Sequence, residues 1–185
     1  MLIKEENQTR RWIIEALVEL LKHKDYHDIT VSQIVDKAKL GRRTFYRYFK
    51  TKDEVIEYLV HLLLKDFADT TLKNHAVTQE SILKSYFEFW EPHIELLSLL
   101  NKAHLLYFIE ENLPLLIYQV ALDVGHLPET VAQDTNKLQM YYEQYKYEFT
   151  IKLSGIWKAT ILWCSENPRR TPTEMSKLIN NILKG

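Results

Sequence analysis

The side chains with the greatest chemical reach lie between Lys37 and Lys52. That stretch carries seven basic residues and no acidic one. A short basic run on a chain of formal net charge −1 is the footprint expected for contact with phosphate. Charge divides along the chain in the same sense: residues 1–53 hold a net +4 and residues 54–185 a net −5. Within the run, RRTFYRYF sets Phe45 and Phe49 four apart, on one face of a helix. Arg42, Arg43, Thr44 and Arg47 are left on the outer face. Arginine pairs bidentately with guanine O6 and N7, and a threonine methyl can touch the thymine methyl, so these four are the expected base contacts. Tyr46, Tyr48 and Lys52 suit phosphate oxygens, which fix register rather than sequence. A solvated helix face would carry similar charges, so charge alone leaves both readings open.

The surrounding elements must hold such a helix against a groove. Residues 6–24 repeat apolar positions at Ile13, Ala16, Leu17, Leu20 and Leu21, the pattern of a first helix. Thr30 begins the second, with Gln33 three residues on to complete a capping box. That helix runs to about Ala38, Leu40–Gly41 turns the chain, and a third short helix covers about Arg42–Phe49. Two short helices across a tight turn are the spacing of a helix-turn-helix, whose second helix enters a major groove about 12 Å wide. Thr30, Ser32 and Gln33, at the start of the positioning helix, are further expected phosphate contacts. A fourth helix opens at Asp53.

DITVSQIVDKAKLGRRTFYRYFKTKDEVI resembles the N-terminal signature of TetR/AcrR-type regulators. Thr30–Val31, the run Thr44–Phe45–Tyr46–Arg47–Tyr48–Phe49 and Lys52–Asp53 match it position by position. Two positions depart from it: Lys39 stands where the turn often has Gly, and Gly41 stands where the N-cap is often Ser. The resemblance implies a sequence-specific transcriptional regulator, a repressor acting as a homodimer on a near-palindromic DNA operator and released by a small-molecule effector. The alternative is a co-regulator that keeps the fold and binds another transcription factor.

The rest of the chain is helical in period, with expected helices at Thr78–Trp90, from Pro92, His104–Val124, Asp134–Glu166 and Pro172–Lys184. The fold class is all-α: a three-helix DNA-binding domain over residues 1–53, then a helical bundle over 54–185, about nine helices in total. The resemblance implies that this bundle dimerises and holds an effector. Leu153, Ile156, Trp157, Thr160, Ile161 and Cys164 on the long helix, with Met175, Leu178, Ile179 and Ile182 on the last, are the expected dimer interface. Tyr86, Trp90, His93, His104, Tyr107, Tyr118, Tyr141 and Tyr145 could line a pocket with polar tips, or simply form core.

Other classes lack a footing. Cys164 is the only cysteine, which excludes an internal disulfide and fits a reducing, cytoplasmic setting. The seven histidines form no tight pair with carboxylates, so neither metal nor cofactor is expected. No Gly-rich phosphate loop or nucleophile motif suggests an enzyme. No apolar run reaches the ~18 residues of a membrane span, and the N-terminus has no long apolar stretch of the secretory kind.

Overall fold

A computed structural model describes residues 7–73, 78–112 and 135–184 of the chain. These residues form helices and no strand. In order they are α1 (Gln8–Leu21), α2 (Val31–Lys37), α3 (Arg42–Tyr48), α4 (Lys52–Lys73), α5 (Gln79–Trp90), α6 (Ile94–Lys102), α7 (Tyr107–Glu110), α8 (Thr135–Cys164) and α9 (Pro172–Lys184), with short 3-10 turns at Tyr26–Asp28 and Glu91–His93. No described helix is long and apolar enough to cross a membrane.

Local chemistry sets the helix starts. Thr30 accepts from Gln33 N, and the Gln33 side chain accepts from Thr30 N, closing the box expected there. Thr78 and Ser81 repeat the arrangement at α5. Thr51 accepts from Glu54 N at α4, and Thr171 and Glu174 cap α9 reciprocally. Two helices also end alike. Lys39 and His104 adopt φ of 55° and 59°, and the residue after each donates back to the carbonyl five before it: Leu40 to Val35 and Leu105 to Leu100, both at 2.8 Å. This is a Schellman ending with a side chain where glycine is favoured. Its left-handed residue is why the helix expected to begin at His104 begins instead at Tyr107. Residues 113–134, with Tyr118, lie outside the described residues.

The chain divides into two compact units, residues 1–66 with 96–111, and residues 67–95 with 112–185. The first therefore runs past the expected boundary at 53/54. The reason is apolar: Val55, Ile56, Leu59, Val60 and Leu63 of α4 are buried in the same unit as Ile13, Ile14, Leu17, Ile34 and Phe45.

The second unit has a core of rings. Phe67 meets Phe89 at 5.0 Å and Tyr86 at 5.9 Å, Trp90 meets Trp157 at 5.5 Å, and Phe87 meets Trp163 at 5.4 Å. Trp90, Phe87 and Trp163 are fully buried. The Tyr86 hydroxyl and Thr160 Oγ1 lie 3.0 Å apart, and burial pushes the phenol well above its ordinary range. Tyr86 and Trp90 are therefore part of the buried ring cluster of this unit. His93 is half-buried beside Phe89, and Tyr145 is half-buried on α8. His104 and Tyr107 are exposed residues of the first unit, and Tyr86 belongs to the second. The Tyr141 side chain lies outside the described ones.

The expected dimer residues also divide. Trp157, Thr160, Met175 and Ile179 are buried within the unit, because that flank of α8 and that face of α9 are covered by the chain's own helices. α9 packs on α5, where Gln79 donates to Asn180 Oδ1 at 3.3 Å. Leu153, Ile156, Ile161 and Cys164 are half-buried. Leu178 and Ile182 are exposed on α9, and among the described side chains of α8 Met140, Tyr147, Ile151 and Leu162 are exposed. At about 3.6 residues per turn those four lie roughly 80–140° around the helix from Trp157.

Candidate nucleic-acid interface

α3 is a seven-residue helix, too short to persist unaided, and it is held by what its inner face buries. Phe45 is fully buried and Phe49 nearly so; their rings lie 6.1 Å apart, and Phe49 meets Tyr58 of α4 at 5.7 Å. The backbone enters α3 through Gly41, which caps it without a side-chain hydrogen bond. Gly41 has φ −86° and open space where a Cβ would stand, so nothing at that position demands glycine.

The outer face is what remains. Arg42, Arg43, Tyr46 and Arg47 are exposed and Thr44 is half-buried. Tyr46 has more than half of its surface in solvent. Arg42 donates to Ser32 Oγ, tying the start of α3 to the first turn of α2. Arg47 donates weakly to the Tyr48 hydroxyl at 3.5 Å, and its guanidinium lies 5.0 Å from the Tyr48 ring centroid. Thr30 and Gln33, expected to touch phosphate, are engaged in capping each other at the exposed start of α2.

Two expected phosphate contacts have other work inside the unit. The Lys52 ammonium donates to the carbonyls of Tyr26 at 2.5 Å, Ile29 at 2.9 Å and His27 at 3.3 Å, and sits 4.3 Å from the Tyr26 ring. The half-buried ammonium is thus held by the loop before α2, an engagement the sequence did not reveal. Beside it, the Tyr26 hydroxyl donates to Asp53 at the start of α4; burial first, then that carboxylate, push the Tyr26 phenol far above its ordinary range. Tyr48 is half-buried. Hydrogen bonds from Asn7 first, then Thr9, with the Arg47 charge, hold its phenol below the usual range. Asn7, Thr9 and Arg10 at the start of α1 were not legible as part of this site. The adjacent cations Arg10–Arg11, three residues past an Asn cap, were the one available signal.

A short cationic helix anchored by two phenylalanines, fed by a capped positioning helix across a tight turn, defines the class: a helix-turn-helix. Residues 13–59 match the family described as bacterial regulatory proteins, tetR family. The match covers the part of the chain that carries α2 and α3. Over 61 residues it is 36% identical to the HTH-type dhaKLM operon transcriptional activator DhaS of Lactococcus lactis subsp. lactis (strain IL1403), covering 33% of this chain and 31% of that one. Over 46 residues it is 41% identical to the uncharacterized HTH-type transcriptional regulator YxbF of Bacillus subtilis (strain 168), covering 25% and 12%. The chain thus matches a third or less of the length of these curated relatives. The similarity in fold is longer. The fatty acid degradation regulator FadR from Bacillus halodurans is similar over 98% of this chain and 97% of its own, with a TM-score of 0.56 at 21% identity. The structure of the dihydroxyacetone kinase operon activator DhaS is similar over 95% and 94%, with a TM-score of 0.53 at 18% identity.

Proposed function

We propose that the protein is a cytoplasmic, sequence-specific regulator of transcription that binds double-stranded DNA as a homodimer. The observation that carries this reading is the outer face of α3: Arg42, Arg43, Tyr46 and Arg47 exposed on a helix whose other face is locked into the core. A near-palindromic operator needs two such helices about one turn of DNA apart, ~34 Å, which a single chain does not supply. The exposed apolar side chains Ile151 and Leu162 on α8, with Leu178 and Ile182 on α9, support a second copy as the means of supplying the other. Repression follows if the bound dimer occupies a promoter, and an effector acting on the second unit would release it by changing the spacing of the two recognition helices. The opposite sign, activation, is favoured by one relative, since DhaS is named an activator.

Gel-shift titration of duplexes tiled across the DNA upstream of its own gene tests the reading. Saturable binding to one duplex over the others is expected, weakening steeply as salt rises because neutralised phosphates release counterions. Equal affinity for every duplex at low salt would overturn it. A promoter fused to a reporter, with and without the protein, then separates repression from activation.

A further inference from the structure

Arg10 lies where three helices of the first unit meet. From α1, its guanidinium sits 4.8 Å from the ring centroid of Tyr58 on α4 and 5.7 Å from that of Tyr48 on α3. Its Nη1 also donates to the Tyr58 hydroxyl at 3.1 Å. On the other side, Arg47 lies 5.0 Å from the same Tyr48 ring. Rings and cations therefore alternate from the recognition helix to α4: Arg47, Tyr48, Arg10, Tyr58. His61 stacks beyond Tyr58 at 6.4 Å. Arg10 is half-buried, and its Nε is buried with no hydrogen-bond partner. Leaving a buried donor unmatched is unfavourable, and two guanidiniums against one ring repel. An arginine with a merely local role on α1 would keep its head in water. Arg10 gives up that hydration to hold two tyrosines of other helices.

We propose that Arg10 is a positioning residue for DNA recognition: it clamps the last turn of α3 to α1 and α4 and so sets the direction in which Arg47 leaves the helix. The inference rests on the DNA-binding reading above. Arg10 acts through Tyr48 and does not itself meet DNA.

The full-length protein and its Arg10→Ala, Arg10→Lys, Tyr58→Phe and Tyr58→Leu variants are compared on two duplexes. One is selected by the wild type from a random library, and the other is a scramble of the same composition. Arg10→Ala is expected to lower the preference for the selected duplex about tenfold, the scale of one lost base contact. The slope of affinity against salt stays unchanged. Arg10→Lys keeps the charge but does not restore the preference, because an ammonium cannot lie flat between two rings. Joining Arg10→Ala to Tyr58→Leu costs no more than either alone, as for members of one network. Equal loss on both duplexes, with a salt slope shallower by about 0.9, would make Arg10 a phosphate contact and overturn the proposal.

A second readout needs no DNA. Amide hydrogen exchange across residues 45–49, including Phe49 N, which bonds Phe45 O at 2.9 Å, is expected to quicken in Arg10→Ala at unchanged helical circular dichroism. Unchanged exchange would overturn the clamp whatever the DNA results. A wild type without preference for any duplex would instead bring down the DNA-binding reading, and with it the purpose of the clamp. If Arg10→Ala does not fold, Tyr58→Phe, which removes only the hydroxyl partner, carries the same two readouts.

Discussion

Replacing Lys52 with Met separates two roles that the sequence could not tell apart. The side chain keeps its length and loses its donors. In the structure those donors serve the carbonyls of Tyr26, Ile29 and His27, two at 2.5 and 2.9 Å and one at 3.3 Å. A hydrogen bond to a charged group contributes about 1.5–3 kcal/mol where it is buried. Lys52 is only half-buried and the third bond is long, so the two shorter bonds at the low end of that range, discounted for solvent, leave about 2 kcal/mol. For a chain of this size that is roughly 4–8 °C in Tm. Urea unfolding at fixed protein concentration is the assay, since association couples to stability; the midpoint should fall with the m-value unchanged. The same variant should keep its salt slope for DNA, whereas a lost phosphate contact would flatten that slope by about 0.9. An unchanged midpoint together with a flatter slope would refute the assignment of Lys52 to the loop before α2.

Other expectations follow from particular side chains. Arg43→Ala and Arg47→Ala, both on exposed residues, should leave Tm within about 1 °C yet each reduce the preference for a selected duplex about tenfold or more, read by competitive gel shift. Lys39→Gly removes a side chain from a left-handed turn with φ 55° and should raise stability by about 1 kcal/mol, seen as a higher urea midpoint. Leu178→Lys with Ile182→Lys places two charges on the exposed face of α9 and should shift the protein to monomer in analytical ultracentrifugation, with helical content retained. Burial pushes the Cys164 thiol up to about 11, so alkylation of the native protein at pH 8 should run roughly 100-fold slower than that of the urea-unfolded chain and rise about tenfold per pH unit toward that value.

The recognition helix was legible because its evidence is local. Phe45 and Phe49 differ so sharply from the cations around them that spacing alone separates an inner from an outer face, and both phenylalanines are buried. The turn at Lys39 was legible too, since a turn lacking its usual glycine still needs the same backbone. Periodicity names a face but not what covers it, which is why Trp157, Thr160, Met175 and Ile179 read as an interface between copies while the chain's own helices bury them. The exposed residues of α8 carry Gly155, Lys158 and Leu162 among them, and that mixed composition hid the stripe. Long side chains are harder still. Lys52 and Arg10 act on residues 26 and 48 positions away, and no local pattern records that.

Four helices of this chain open on the same residue type: Thr30, Thr51, Thr78 and Thr171 each accept from the backbone N–H three positions on. At three of them, the side chain three positions on accepts from the threonine's own N–H in return. Each of these starts is written in four consecutive residues and needs no distant partner. The caps thus fix where α2, α4, α5 and α9 begin, while the packing of their apolar faces keeps them folded, α2 being no longer than α3. A lesion at one threonine frays the first turn of one helix and leaves the other three starts intact.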